Sequence, residues 1–419
     1  MEKYKCKSVG IIGSGIQGIC IGLQLIKKGI PVTIFDRLDP LSLDFKSASY
    51  GNAGHFSPYA VLQFNRKDIL TDVPKMLLSS NGPLALKWNH VLKMTPWFFH
   101  YLKNFNQKSM LHTAKYMHQI LSLSNDAYED IFKEIDMTNL IEKKGIIYVW
   151  TNKNLKSREL EIKVRNDLGI EQKLLTQKEI LELEPNLNPV FDAGVIYENA
   201  MHARDPHGIL KKIFKLFLTK GGKFIQENIS SLKQINVRQT IIKSEKNEYT
   251  FEKSVIATGA FSKNLTDQLG EKIPLDTERG YHVHFKNMDH LVSRPVIFLD
   301  RGFGMTPMRQ GLRAVGTVEL GGLKNPPSKK RIEYIVQCAK ELLPQLKEYD
   351  DEWLGFRPTL PDFLPIIGPS LKNKNIIYAF GHHHLGWTLG AITGKIISGI
   401  VAEEKTNLDL SPYSSKRFS

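Results

Sequence analysis

The feature that most constrains this chain lies near its start. Ser8-Val9-Gly10-Ile11-Ile12 runs into Gly13-Ser14-Gly15-Ile16-Gln17-Gly18, and Val32-Thr33-Ile34-Phe35 then ends at Asp36. The order reads as strand, glycine turn, helix and second strand. Glycines permit the tight bend, let backbone amides approach a pyrophosphate and bring the helix close to the sheet. A helix N-terminus favours the diphosphate charge. Asp36 closes the second strand, where it is placed to accept hydrogen bonds from a ribose diol and to disfavour a 2′-phosphate. The glycine pattern alone is a weak signal. With strand, helix and acid all in place it specifies dinucleotide binding rather than an ordinary glycine-rich turn.

The remaining composition sets bounds. With 419 residues, 42% of them hydrophobic, the chain can bury a full core and is expected to make two domains. No run of eighteen apolar residues is present, so neither a membrane-spanning helix nor a cleaved leader is expected. The expected location is cytoplasmic, with the inner face of the cytoplasmic membrane as the alternative. Cys6, Cys20 and Cys338 form no CxxC pair and no disulfide framework. The net charge of +14 comes from scattered lysines, and no nucleic-acid-binding pattern accompanies them, so no nucleic-acid partner is expected.

Further along, strand-like and glycine-rich features that complete a nucleotide sheet recur far downstream, which makes that domain discontinuous. Residues 251–258 read as a strand closing on Ala257-Thr258-Gly259-Ala260. Residues 376–380 form another, opening into Gly381-His382-His383-His384-Leu385-Gly386 and a long apolar helix to about residue 403. Between the N-terminal motif and these segments, residues 107–137 read as one long helix. Thr176 and Glu179 form a capping box, and Asp205-Pro206 starts an amphipathic helix to about residue 219. Strand patterns at 281–285, 295–299, 303–307 and 312–318 read as an antiparallel sheet. The last dozen residues are polar and are expected to be loosely held.

Taken together, Gly13 to Gly18, Asp36-Arg37, Ala257-Thr258-Gly259 and Arg357-Pro358-Thr359-Leu360-Pro361-Asp362 with Pro365-Ile366-Ile367-Gly368 resemble the D-amino-acid oxidase superfamily of FAD enzymes. The likeness runs from about Ser8 to about Glu404. Tyr50-Gly51-Asn52-Ala53-Gly54-His55-Phe56-Ser57-Pro58 looks like the signature of the bacterial D-amino-acid dehydrogenase branch (small subunit type).

The resemblance implies an α/β fold: a doubly wound, Rossmann-like FAD domain with a discontinuous antiparallel-sheet substrate domain. On that basis residues 1–57, 195–260 and 355–410 are allotted to the first, 58–194 and 261–354 to the second, and 411–419 to a tail. The cofactor implied is FAD, held non-covalently, because Gly355 stands where some sarcosine-oxidase relatives attach FAD to a cysteine. Residues expected to hold it are Gly13, Gly15, Ile16, Gln17, Gly18, Asp36, Arg37, Asn52, Ala53, Gly54, Thr258, Gly259, Gly381, Leu385, Gly386, Trp387 and Thr388. The helix starting near Leu385 would stabilise charge on the reduced ring.

The implied reaction is oxidative deamination of a D-amino acid, cyclic proline-like ones included, with electrons passed to quinone or another carrier. The alternatives are an oxidase of glycine, sarcosine or D-amino acids that uses oxygen, and a flavoprotein subunit of a larger complex. Arg357 is expected to pair with the substrate carboxylate, a bidentate task suited to guanidinium; the alternative is an interdomain ion pair. Arg279 or Tyr281 is expected to add a second carboxylate contact, against an equal structural reading. His384 stands where some relatives carry an arginine, and His55 is either a substrate or cofactor contact or a packed histidine. No metal is expected, since adjacent histidines on one loop diverge. Residues 88–102 place Trp88, Leu92, Trp97, Phe98, Phe99, Tyr101 and Leu102 among lysines, which suits either core packing or peripheral contact with an anionic membrane. Oligomeric state is not legible.

Overall fold

The computed structural model describes residues 6–62, 84–151 and 155–419. Its first sheet runs in the order Lys223–Gln226, Val32–Asp36, Val9–Ile12, Lys253–Ile256, Ile376–Phe380, Ile366–Pro369. The first five are parallel and the last is antiparallel. Val9–Ile12 is buried along its whole length, as a central parallel strand covered on both faces must be. One face is covered by the helices Ile16–Lys27, Gly386–Val401 and Pro206–Thr219. The last starts as expected, with the Asp205 carboxylate accepting from Gly208 N at 2.8 Å. A three-stranded meander, Ile229–Asn236, Gln239–Ser244 and Glu248–Phe251, contributes Leu232, Ile242 and Phe251 to the core on the other.

The second sheet is larger than the sequence suggested. Its path is Asp351–Thr359, Asp276–Lys286, Gly311–Leu320, Phe303–Met308, Val296–Phe298, Ile146–Trp150, Ala193–Tyr197, Lys173–Thr176, with Leu84–Leu86 added beside Gly311–Leu320. Most joins are antiparallel. Two are parallel, Val296–Phe298 with Ile146–Trp150 and Leu84–Leu86 with Gly311–Leu320. Helix Lys329–Leu342 buries Ile332, Ile335, Cys338, Ala339 and Leu342 against this sheet, away from the nucleotide side.

Several expectations need correction. The strands Ala193–Tyr197 and Asp351–Thr359 run in the second sheet, although residues 195–197 and 355–359 were allotted to the FAD part. The single helix expected over 107–137 is two, Gln107–Leu121 and Ser124–Phe132. The Ser124 hydroxyl donates to Leu121 O at 2.6 Å at the break, the local competition that lets serine interrupt a helix. Both pieces bury side chains in the nucleotide core, so part of 58–194 packs with the FAD part. The C-terminal residues are not loose. Tyr413 is fully buried, Ser415 donates to Glu271, and Arg417 pairs with Asp362. Buried carboxylates on the body supply acceptors that a scan for apolar periodicity does not detect.

Candidate active site

A single cavity of about 2100 Å³ runs from the glycine turn along both sheets. That is roughly twice the upper end of ordinary small-molecule pockets, about 1,000 Å³, and suits a dinucleotide plus a substrate. At one end Gly13 has φ +107°, and a Cβ there would lie 2.5 Å from Ala257 O. Gly18 packs against Gly13 O so tightly that a Cβ would fall within 1.8 Å of it, which closes the helix on the strand. Gly15 faces the cavity, and there a Cβ would meet only Ser49 Oγ, at 3.4 Å. This is a cradle that a side chain would fill. Asp36 accepts from Ser14 N at 2.7 Å and Ser14 Oγ at 2.9 Å, and from Leu38 N at 3.2 Å. It therefore braces the turn as well as bordering the cavity. Arg37 lies over the Phe261 ring, 4.6 Å from its centroid.

The middle of the cavity is framed by residues 50–55 and by the histidine turn. Asn52 builds the first, accepting from Gly54 N at 2.6 Å and donating to Ser49 O at 2.5 Å, so its backbone rather than its amide is left to the cavity. His282 Nδ1 and Gly51 O are 2.9 Å apart, and Arg313 donates to Asn52 O at 2.7 Å. Arg313 is thus turned to the carbonyls of this loop and is not among the residues that line the cavity. His55 Nε2 sits 2.7 Å from Thr306 Oγ1 with its pKa lowered to about 4 by burial.

The three histidines diverge. His382 contacts Thr393 at 3.1 Å, His383 Nε2 accepts from Leu360 N at 3.1 Å, and all three, His384 included, border the cavity. Among the described residues no group of three or more His, Cys, Asp or Glu is placed to hold a metal. His384 has its pKa lowered to about 4 by desolvation and then by neighbouring Arg357, so at neutral pH it presents an uncharged ring. Leu385, Gly386 and Trp387 carry the following helix N-terminus to the cavity wall, and Gln17 Nε2 donates to Gly386 O at 2.7 Å. Gln17 Oε1 and Trp387 Nε1 are buried without protein partners, polar atoms that suit a polar ring system at this place.

The wall is built by three adjacent strands. Arg357, on Asp351–Thr359, lies flat across Gly280 of the central strand, where a Cβ would come within 2.2 Å of its Nη2. Its Nη1 donates to Thr317 O at 3.1 Å on the third strand. Thr317 has φ +62° at a register shift in which the pairing jumps from Arg279↔Glu319 to Tyr281↔Gly316. Such a bulge re-aims a backbone group at a site. Among the described residues this is the one hydrogen bond the Arg357 guanidinium makes, and Arg357 lines the chamber, so its remaining donors are open to a ligand there. Glu278, directly opposite Arg357 in register, also lines the chamber. Burial pushes its carboxyl up, and Arg357 and Thr359 draw it part of the way back.

Of the expected residues, Arg357, His384, His55, Tyr281, Gly13, Gly15, Ile16, Gln17, Asp36, Arg37, Asn52, Ala53, Thr258, Gly259, Leu385, Gly386 and Trp387 border the cavity. Gly18, Gly54, Gly381 and Thr388 stand behind its lining; Thr388 Oγ1 bridges His55 O and Ser57 N at 3.2 and 3.1 Å. Arg279 is a clear correction. It is fully buried on the opposite face, 3.2 Å from Glu319 and 2.9 Å from Pro326 O. The Tyr281 hydroxyl is engaged there too, donating to Glu319 at 2.5 Å and accepting from Ser328 N at 3.1 Å. Strand alternation is the reason: with Gly280 under Arg357, its neighbours point away. Glu278, Gly280 and Thr317 went unrecognised. The signal for the first two was a glycine at period two from an acid in Glu278-Arg279-Gly280.

A dinucleotide cradle that opens onto a sheet-walled chamber defines the class: an enzyme that holds a redox cofactor against a small substrate. The FAD dependent oxidoreductase (DAO) family profile matches residues 8–400, and the chain belongs to that family. It is 30% identical to a D-amino-acid oxidase of Bradyrhizobium diazoefficiens over 418 residues, covering 98% of this chain and 99% of that one. It is 26% identical to a D-amino acid dehydrogenase of Vibrio atlanticus, covering 97% and 99%. Among solved structures, glycine oxidase from Geobacillus kaustophilus superposes with a TM-score of 0.74 at 19% identity, covering 98% of each chain. L-proline dehydrogenase from P. horikoshii gives 0.75 at 17%, covering 99% of this chain and 98% of that one. The cofactor is FAD, and the glycine cradle, Asp36 and the orphaned polar atoms fit it.

Proposed function

We propose that this enzyme oxidises α-amino acids, D-enantiomers foremost, to imino acids that hydrolyse to 2-oxo acids, and passes the electrons to a quinone-type carrier. The observation that carries this reading is Arg357: a buried guanidinium held flat by Gly280 and by one carbonyl, with its other donors open to a ligand in the chamber it lines. A carboxylate is the partner that fits such a fork. FAD, when bound, accepts the hydride from the substrate α-carbon. The protein's part is to fix the carboxylate on Arg357, present a neutral His384 and keep water away with Trp97, Tyr148 and Trp387. The cradle holds the cofactor without a covalent link: Gly355 offers no thiol, and no cysteine lines the described cavity.

Two observations bear on the acceptor. Residues 88–103 form short helices that bury Met94 and Trp97 yet leave Trp88, Leu92, Phe99 and Leu102 each more than half exposed. Lys93 and Lys103 are exposed on the same segment, a composition suited to an anionic bilayer and a lipid-soluble quinone. No described helix is long and apolar enough to cross a membrane. The second reading, an oxidase, is favoured by the full-length likeness to a D-amino-acid oxidase.

Anaerobic addition of a D-amino acid panel to the purified yellow protein should bleach the flavin, and a quinone or dye should restore turnover faster than air. Equal reoxidation by air with stoichiometric peroxide favours the oxidase. No bleaching by any amino acid sinks the proposal.

A further inference from the structure

Glu278 is a puzzle for a chamber built to receive a carboxylate, because a second carboxylate there repels the substrate. Its position resolves this. The register pairs His282 with Trp353, Gly280 with Gly355 and Glu278 with Arg357. Trp353 covers Gly51 and His282 holds Gly51 O, so residues 50–55 mark one end of this wall. The Arg357 guanidinium folds back over Gly280 toward that end. Glu278 therefore lies farther out, two residues or about 7 Å along the strand from the floor beneath the guanidinium.

What lies beyond it is aromatic. Trp97 and Tyr101 both line the chamber, with rings stacked 5.0 Å apart at 17°. Trp97 Nε1 donates to Thr359 O at 3.2 Å, which fastens this shelf to the strand that carries Arg357. Tyr101 is close enough for Glu278 to add to the rise in its pKa that burial causes. A carboxylate beside aromatic faces is the chemistry of a cation site.

Charge bookkeeping points the same way. In the chamber Arg357 is the cation acting on Glu278. The other lining arginines of the wall, Arg158 and Arg165, are paired with Glu161 and Asp300. A substrate carboxylate that occupies Arg357 engages the cation that acts on Glu278, and leaves that buried carboxyl to be satisfied by a proton or by a new cation.

From this we infer that the chamber selects amino acids whose side chain ends in a cation, a guanidinium or ammonium on a three- or four-carbon stem, with Glu278 as its partner and Trp97 and Tyr101 as its walls. The inference rests on the amino-acid reading above and narrows it. A base that takes the proton of the α-ammonium would have to stand nearer residues 50–55 than Glu278 does.

The test compares isosteres on the FAD-loaded enzyme. D-Arginine should exceed D-citrulline in kcat/KM by roughly tenfold or more, the scale of one charge-assisted hydrogen bond. Glu278→Gln should bring the ratio close to one. In parallel, 5-guanidinopentanoate should perturb the flavin spectrum at lower concentration than its neutral counterpart 5-ureidopentanoate, again only with Glu278 present. A wild-type enzyme indifferent to the charge overturns the inference without any variant. So does a Glu278→Gln enzyme that loses both substrates equally and keeps the preference, the result expected if Glu278 merely orients Arg357. Spectral preference for the guanidino acid without oxidation of any amino acid would keep the cation site at Glu278 but overturn its assignment to an amino-acid side chain, together with the amino-acid reading.

Discussion

At the scale of single residues, the site depends on what is missing from one of them. Gly280 has no side chain, and the Arg357 guanidinium lies in the space a Cβ would need, 2.2 Å from its Nη2. Gly280→Ala should lift the guanidinium off the sheet and break its bond to Thr317 O. KM should rise about tenfold or more, on the scale of one hydrogen bond to a charged group, while FAD content holds. Titration of substrate into the FAD-loaded variant measures this; an unchanged KM would take Arg357 out of the binding step. Arg357→Lys keeps the charge and loses the fork, so activity should fall by about 10- to 100-fold through KM. Arg357 was legible from its place in a motif. Glu278 was not, because a sequence shows that acid and base are neighbours but not which of them faces a chamber.

At the scale of elements, the histidine turn and the strands around it hold four imidazoles away from solvent charge. Burial lowers His55 and His384 to about 4, and His202 and His382 to about 3. An unfolded histidine titrates near 6.5, so between about pH 6.5 and 4 the unfolded chain binds protons that the folded one refuses. Stability should therefore fall as pH falls through that window, by at most about 1.4 kcal/mol per pH unit for each of the deeply buried His202 and His382. Melting temperature measured from pH 7.5 to 4.5 should drop steadily, and His382→Asn should flatten the slope. A flat wild-type profile would mean these rings find protons in the folded state. The Thr176–Glu179 capping box and the Asp205 cap were read directly from the chain because such bonds span three residues.

For the whole molecule, the C-terminal residues act as a clamp. Arg417 binds Asp362 and donates to Leu364 O at 2.5 Å and Pro365 O at 3.3 Å, gripping the loop that follows the Arg357 strand. Tyr413 is buried and donates to Tyr116 O at 2.5 Å. Ending the chain at residue 410 should cost on the order of 3 kcal/mol, mostly from the lost burial of Tyr413 and the broken Asp362 pair. Thermal denaturation should show the loss, and KM should rise as the loop loosens. A truncated protein that melts with the full chain would make the tail ornamental.

The sequence by itself determined the nucleotide half of this protein. Its turn, helix and acid lie within 36 residues, and their geometry follows from local backbone rules that any reader of the chain can apply. The substrate wall was decided only by tertiary structure. Arg357, Gly280 and Thr317 meet because three strands far apart in sequence align in one register, and a single bulge turns the Thr317 carbonyl toward the guanidinium. A shift of one residue would send Arg279 into the chamber and Glu278 out of it. Side-chain alternation has period two, so local pattern fixes which residues share a face, while only packing against the nucleotide domain says which face is the inner one.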